Sequence, residues 1–177
     1  MRIRVVPHDS EWPRQARVAI TELTDALPGL FPEIEHMGST AVPGLAAKPI
    51  IDLMAAAHDL DAVADRADVL AALGYRREQN GMRDRLFYPR IDAAGQRTHH
   101  LHVVRTADWD GQNERILRDY LRDHPAAAAD YAALKQALAE EISDPELYTR
   151  RKTDLIQRLV DAARAELGLP LVPVWVD

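Results

Sequence analysis

The sequence contains no cysteine among its 177 residues. Disulfide bonds and thiolate metal sites are therefore excluded. It also lacks any run of about 18 apolar residues, the length that predicts a membrane-spanning helix. The N-terminal segment Met1–Asp9 carries no apolar stretch of the kind found in a signal peptide. These absences predict a cytoplasmic protein with no membrane partner.

A surplus of positive charge is missing as well. Lys and Arg total 22 against 28 Asp and Glu, which gives a net charge of -6. Broad binding to nucleic acid or to an anionic membrane needs a cationic face, so the composition disfavours both. A local basic pocket for one phosphate ligand is compatible with this charge, so we expect a small-molecule partner. The sequence predicts no particular oligomeric state.

Hydrophobic periodicity predicts a mixed order of helices and strands: one helix, two strands, a helix, three strands and then three helices. This order is typical of an α+β (α/β) fold with a mixed β-sheet, flanking helices and a helical C-terminal part. We expect a single domain over residues 1–167 and an irregular tail over residues 168–177. A capping box at Ser143–Glu146 predicts the start of the last helix. The predicted strands are Ile34–Met37, Pro49–Ala56, Tyr75–Gln79, Arg85–Ile91 and Thr98–Val104, and one continuous helix is predicted from Leu60 to Ala71.

A glycine and a serine follow the first predicted strand, and an aspartate lies within the second. Gly38 lets the backbone approach a phosphate closely, and Ser39 supplies a hydroxyl and an amide N–H. Asp52 interrupts an apolar run, so its charge needs a partner such as a metal ion, a basic side chain or backbone N–H groups. Lys48 can offset further phosphate charge. The pattern predicts a site for phosphate and a divalent metal; the alternative is a simple turn, with Asp52 capping a nearby loop.

Three histidines occur within four positions of the last predicted strand. Strand alternation places His100 and His102 on one face and His99 on the other. Two imidazoles at this spacing can share a metal ion, or one can act as a general base beside a metal. Together with Asp52 on an adjacent strand they would suit zinc, manganese or iron better than magnesium alone. The alternative is one buried structural histidine and one solvated histidine.

The glycine-serine turn followed by a strand with Asp52 resembles the nucleotidyltransferase superfamily. In that superfamily the position two residues after the aspartate is normally a second acidic metal ligand, whereas here it is Met54. Thioether sulfur is a poor ligand for magnesium, which puts the usual arrangement of two metals in doubt.

The whole set of motifs resembles the GrpB family, which belongs to the nucleotidyltransferase-fold superfamily. This resemblance implies a nucleotidyltransferase-like mixed sheet, in which His100 and His102 replace lost acidic ligands. It also implies that Arg85, Lys135 and Lys152 join Lys48 on a triphosphate. The segments that carry the resemblance are Val6–Pro13, Ile34–Asp52, Thr98–Val104, Arg118–Pro125 and Tyr131–Lys135, with the pair Tyr148 and Lys152.

The resemblance implies a metal-dependent nucleotidyl or phosphoryl transferase that acts on a small molecule. A nucleoside triphosphate would be a substrate and Mg²⁺ or Mn²⁺ the metal, with Zn²⁺ as an alternative. Asp52, His100 and His102 would then bind the metal and catalyse the reaction, while the glycine-serine turn and the four basic side chains bind the nucleotide. Two alternatives stay open: a non-catalytic nucleotide-binding module, and a histidine-metal hydrolase or ligase that reuses the nucleotide pocket.

Overall fold

The computed structural model describes residues 4–174, apart from the side chain of Pro145. The chain divides into two compact units. Residues 9–41 and 50–110 form the first, which we call the sheet unit, and residues 4–8, 42–49 and 111–174 belong to the second, the helical unit. Residues 169–174 form no helix or strand, and residues 175–177 of the predicted tail lie outside the described residues. The single domain over residues 1–167 and the tail over residues 168–177 stay predictions.

Four strands form the mixed sheet of the sheet unit: β1 (Glu33–Met37), β2 (Ile51–Ala57), β3 (Leu86–Ile91) and β4 (Arg97–Arg105). Their spatial order is β1-β2-β4-β3. The central strands β2 and β4 are parallel, whereas β1 pairs with β2 and β3 pairs with β4 in antiparallel fashion. The mixed sheet predicted from the sequence is therefore confirmed.

Strand β2 lies inside the sheet and is buried on both faces, which explains its almost continuous apolar sequence. On one face of the sheet, a core cluster is formed by Met37, Met54, Ala56, Val104 and Trp109. Helix α1 (Trp12–Ala26) contacts β1 and β2 and buries the apolar positions Trp12, Ala16, Ala19 and Leu23. The spacing of these four positions is the helical period that predicted this helix.

The structure differs from the sequence-based expectation at three places. The helix predicted from Leu60 to Ala71 is two short helices, α2 (Leu60–Ala64) and α3 (Ala67–Ala72). The segment predicted as a strand over Tyr75–Gln79 forms only an isolated bridge beside β3, although the amide of residue 76 donates to the Pro89 carbonyl. Proline has no N–H with which to return that hydrogen bond, so regular pairing is interrupted at Pro89, although the amide of Glu78 donates to the carbonyl of Phe87 beyond it. The last helix is capped by Asp144 rather than by Ser143.

The helical unit consists of α4 (Asn113–Asp123), α5 (Pro125–Glu141) and α6 (Pro145–Glu166), and both α4 and α5 pack against α6. Val42 and Leu45 belong to the same core as α4, α5 and α6, and Val6 pairs with Ala47 in an antiparallel bridge. No helix formed by residues 4–174 is both long and apolar enough to span a membrane.

Candidate functional site

The glycine predicted to approach a phosphate lies directly over the predicted metal ligand. Met37, the last residue of β1, pairs with Asp52 of β2, and Gly38 then turns the chain with φ +70°. A Cβ atom at position 38 would lie 2.6 Å from Asp52 Oδ2. Both the left-handed backbone and the missing space therefore require glycine here.

The turn after Gly38 is held by hydrogen bonds of its own. Ser39–Ala41 forms one turn of 3-10 helix, in which the amide of Ala41 donates to the carbonyl of Gly38 at 3.1 Å. His36 Nε2 lies 2.8 Å from Oγ1 of the buried Thr40. His36 pairs with Leu53, so its side chain lies on the sheet face opposite Asp52. The position of Ser39 is thus fixed at the start of a short, hydrogen-bonded turn.

Asp52 and His100 are brought together by the parallel register of β2 and β4, which pairs the two residues. Asp52 Oδ1 lies 3.0 Å from His100 Nδ1, and the two side chains are 34% and 22% exposed. Because an ionised carboxylate only accepts hydrogen bonds, Nδ1 carries a proton in this pair, and in the neutral form of the ring Nε2 then carries the lone pair. His100 Nε2 is buried and has no hydrogen-bond partner within residues 4–174. The aspartate therefore orients an imidazole whose second nitrogen can accept a proton or bind a metal.

His102 lies on the same face as His100, as strand alternation predicted, and the two imidazoles pack against the same aromatic ring. Phe87 pairs with His102 across the sheet, and its ring centroid lies 4.9 Å from the His102 ring and 5.2 Å from the His100 ring. The two imidazole centroids are 6.5 Å apart. Within the described residues, no three His, Cys, Asp or Glu side chains are close enough to hold a metal ion together. Asp52 and His100 are hydrogen-bonded, and the metal-binding and catalytic roles of all three residues stay predictions.

Met54 occupies the position where a second acidic ligand would stand, and it is a core residue. It is 1% exposed and packs in the cluster with Met37, Ala56, Val104 and Trp109. A carboxylate does occur nearby on this face, since Glu35 of β1 pairs with Met54. The sheet therefore presents Asp52 as the carboxylate beneath Gly38, with an apolar residue in place of its usual acidic neighbour.

His99 points to the opposite face of the sheet. Its ring is packed against Tyr75 at a centroid distance of 6.5 Å, and Nδ1 lies 2.9 Å from Thr98 Oγ1. Burial, followed by the nearby Arg90 guanidinium, lowers the pKa of His99 to about 4. Of the three clustered histidines, this one is a neutral structural side chain.

Arg85, which was predicted to contact a triphosphate, belongs to the sheet unit immediately before β3. Its side chain is only 8% exposed, and its Nε lies 3.5 Å from Asp84 Oδ1. A solvated surface arginine would be far more exposed, so the Arg85 side chain is packed against the protein.

The three predicted lysines belong to the helical unit. Lys48 Nζ lies 4.4 Å and Lys152 Nζ 4.6 Å from the ring centroid of Tyr148. Lys135 is 3% exposed, and its Nζ donates to the carbonyl of Ala46 at 2.6 Å. Two ammonium groups thus share one buried aromatic ring. Their contact with phosphate stays a prediction.

Two features of the site were missed by sequence reasoning. One is the contact of Phe87 with both histidines, and the other is the approach of Lys48 to the same Tyr148 ring that Lys152 contacts. Alternation along the predicted strand Arg85–Ile91 already gave Phe87 and Arg85 a common face. The register with β4 was needed to bring Phe87 to the histidines, and no local pattern encodes it.

Comparisons with known proteins identify the family and the fold. The family model described as GrpB protein matches residues 2–162. The UPF0157 protein PA4798 of Pseudomonas aeruginosa is 39% identical over 180 residues, which cover 97% of this chain and 72% of that protein. The crystal structure of conserved protein GrpB from Enterococcus faecalis superposes with a TM-score of 0.84 at 28% identity, covering 93% of this chain and 99% of that one.

A more distant structure shows the wider fold. Terminal uridylyl transferase 4 from Trypanosoma brucei with bound dUTP superposes with a TM-score of 0.56 at 13% identity, covering 97% of this chain and 60% of that one. This likeness shows a nucleotidyltransferase-like fold. Since the family model matches most of the sequence and the solved GrpB structure shares the fold, the chain belongs to the GrpB family.

Proposed function

We propose that the protein is a metal-dependent transferase that moves a nucleotidyl or phosphoryl group from a nucleoside triphosphate to a small acceptor. The observation that carries this proposal is the position of Asp52, which is hydrogen-bonded to His100 through Oδ1 and lies beneath Gly38 with Oδ2. The nucleotidyltransferase-like fold supports the reaction class, and the bound dUTP of the trypanosomal relative supports a nucleotide substrate.

Asp52 fits a divalent metal that is held mainly by substrate phosphates and water. Because Oδ1 accepts from His100 and position 38 has no Cβ, Oδ2 is the oxygen that the glycine leaves room for. Mg²⁺ is commonly held by one or two carboxylates together with substrate phosphates and water, so one aspartate suits Mg²⁺ or Mn²⁺. The nearby imidazole extends the donor set towards Zn²⁺. A bound metal would neutralise charge on the phosphate oxygens.

The chain's own groups then have separate tasks. Gly38 allows close approach of the backbone to a phosphate, and Ser39 supplies its hydroxyl and amide. His100, with Nδ1 held by Asp52, would bind a metal or accept a proton from the acceptor through Nε2, on the edge of the ring that is turned away from Asp52. His102 supports this pair as a second imidazole on the same face.

The helical unit supplies a cationic group of its own. Lys48, Lys135 and Lys152 each place Nζ within 5 Å of a tyrosine ring centroid, and two of them share Tyr148. Like charges around one ring repel each other, and an anion relieves that repulsion. We assign phosphate binding to these lysines. The acidic net charge favours a small acceptor over nucleic acid, and we retain the cytoplasm as the place of action.

The second candidate function is a non-catalytic nucleotide-binding module. The observation in its favour is Met54, which is buried in an apolar cluster where the superfamily normally has a second metal ligand. In-line displacement at two bridged metals would then be lost while nucleotide binding is kept.

Thermal unfolding in the presence of ligands tests the proposal. The four common nucleoside triphosphates are each added with Mg²⁺, Mn²⁺, Zn²⁺ or EDTA to the wild type, to Asp52→Asn and to Asp25→Asn, which alters an exposed carboxylate of α1. A ligand at about 100 times its Kd adds roughly 2.7 kcal/mol of stability, or a shift of about 5–10 °C for a protein of this size. We expect the shift with one nucleotide–metal pair in the wild type and in Asp25→Asn, and its loss in Asp52→Asn.

The outcomes separate the two candidate functions. Release of pyrophosphate together with a nucleotidylated acceptor, or of a nucleoside diphosphate together with a phosphorylated acceptor, identifies the transferase. Stabilisation without any turnover identifies the binding module. Stabilisation by metal alone, with no response to any nucleotide, would overturn both.

A further inference from the structure

A concave feature of the sheet unit adjoins Phe87, the aromatic residue that contacts the histidine pair. It is a cavity of about 410 Å³ formed by residues 77–83, the start of β3 and Leu60 of α2. The amide of Glu78 donates to the carbonyl of Phe87 at 3.0 Å, which holds the loop along β3. Met82 N also donates to Asn80 Oδ1 at 3.2 Å. The loop wall therefore has local hydrogen bonds that define its path.

The walls of this cavity are positively charged in a protein that is acidic as a whole. Arg77, Arg83 and Arg85 line it, against one lining carboxylate, that of Glu78, while Asp84 pairs with Arg85 from outside the lining. Glu78 is already engaged by Arg97, with Nη2 and Oε2 2.6 Å apart. Arg85 is nearly buried, whereas Arg77 and Arg83 are exposed. A small anion in this cavity would meet a local excess of guanidinium groups.

Phe87 connects the cavity with the histidine pair. It lines the cavity, and its ring also contacts the rings of His100 and His102 at 5.2 and 4.9 Å. The oxyanion end of a molecule held in the cavity would thus lie one aromatic ring away from His100, and its reacting group has to extend past Phe87 to reach this histidine, which is hydrogen-bonded to Asp52.

We propose that this arginine-lined cavity binds the acceptor substrate through an oxyanion group, either a carboxylate or a phosphate. The inference rests on the proposed transferase function, whose acceptor it assigns to a chemical class: small anionic molecules. Guanidinium groups present parallel N–H donors that match carboxylate and phosphate oxygens. The volume is that of a small-molecule site and is too small for a folded partner.

An NMR titration tests the assignment with defined probes. Inorganic phosphate and propionate are added separately to ¹⁵N-labelled protein at constant ionic strength, and the backbone amides of residues 77–83 are followed. The variants are Arg77→Ala/Arg83→Ala and, as a matched control, Arg17→Ala, which removes an exposed arginine of α1. All the substituted side chains are exposed, so the variants are expected to fold, and their thermal melting is checked first.

We expect saturable shifts in residues 77–83 with at least one probe. Loss of charge-assisted hydrogen bonds should weaken the fitted affinity about tenfold or more in the double variant, with no change in Arg17→Ala. Whichever probe binds identifies the oxyanion of the acceptor. Absence of shifts in these residues with both probes, or equal affinity in the double variant, would overturn the assignment.

Asp52→Asn separates this inference from the function on which it rests. If the cavity binds oxyanions, Asp52→Asn should leave the shifts of residues 77–83 intact. The proposed transferase function fails instead if wild-type protein shows no nucleotide–metal stabilisation. The first result is measured with phosphate or propionate at residues 77–83, and the second with nucleotide–metal pairs by thermal unfolding.

Discussion

Replacing Gly38 by alanine should disturb the candidate site more than a left-handed glycine does elsewhere. Gly29, after α1, has φ +76° with nothing within 4 Å of its added Cβ, whereas Gly38 has φ +70° and places that atom 2.6 Å from Asp52 Oδ2. The two backbone conformations are nearly equal, so each alanine variant carries a similar strain of about 1–2 kcal/mol. The difference between the two variants therefore isolates the collision with Asp52.

The magnitude of that difference follows from the contact that must break. The carboxylate of Asp52 has to move away from the new methyl group and gives up its 3.0 Å hydrogen bond with His100. A hydrogen bond to a charged group contributes about 1.5–3 kcal/mol, and the part-exposed Asp52 belongs at the low end. Gly38→Ala should therefore lose about 3 kcal/mol and Gly29→Ala about half of that. Their melting temperatures should differ by roughly 3–6 °C.

Two assays measure this prediction: thermal unfolding of both variants, and their response to the nucleotide–metal pair that stabilises the wild type. Gly29→Ala should keep the full ligand-induced shift, and Gly38→Ala should lose it, because its Asp52 carboxylate has moved. Equal destabilisation of the two variants, together with an undiminished ligand response in Gly38→Ala, would refute the role given to the glycine.

Three further predictions concern buried groups. Met54→Asp should lower the free energy of unfolding by several kcal/mol, because it buries a charge in an apolar cluster. Met54→Leu should lower it by less than about 1.5 kcal/mol. A Met54→Asp variant as stable as the wild type would contradict this. Lys135→Met should cost about 1–3 kcal/mol by leaving the Ala46 carbonyl without its donor, as denaturant unfolding would detect. Burial raises the pKa of Tyr75 from 10.0 to about 12. The contribution of the neutral phenol to the free energy of unfolding is therefore complete below pH 10 and is lost as the pH rises towards 12. Tyr75→Phe should remove one late-titrating tyrosine from an alkaline absorbance titration and reduce this loss; an unchanged titration would count against it.

Short-range sequence patterns determine much of the sheet unit, which explains why several of its strands could be predicted. The apolar run of β2 predicted a buried strand, and alternation in β4 correctly separated His99 from His100 and His102. Register was beyond the sequence, since it depends on residues far apart in the chain. The hydrogen bond between Asp52 and His100 joins positions 48 residues apart and follows only once β2 and β4 lie side by side.

In one segment, a residue of the facing strand prevents the pairing that the sequence predicts. The predicted strand Tyr75–Gln79 forms a bridge with β3 only at Tyr75, because Pro89 on the facing strand lacks the N–H that would return the hydrogen bond of Arg76. In the helical unit, the contacts of the lysines also depend on residues far apart in the chain. Lys48 and Lys152 come from a loop and from α6, and their common contact with Tyr148 could not be read from either segment alone.

Either Asp52 orients His100 for chemistry at Nε2, or His100 only positions the carboxylate of Asp52. Two substitutions of His100 distinguish these cases. The side-chain amide of asparagine can replace Nδ1 as a donor to Asp52 but has no counterpart of Nε2, whereas the longer glutamine amide stands closer to Nε2. If His100 acts through Nε2, His100→Asn should keep the nucleotide–metal stabilisation and lose turnover. His100→Gln should lose the stabilisation, because Asp52 is then no longer held by Nδ1. Wild-type turnover in His100→Asn would show that the histidine only positions the carboxylate, and Asp52 would then be the group on which the chemistry depends.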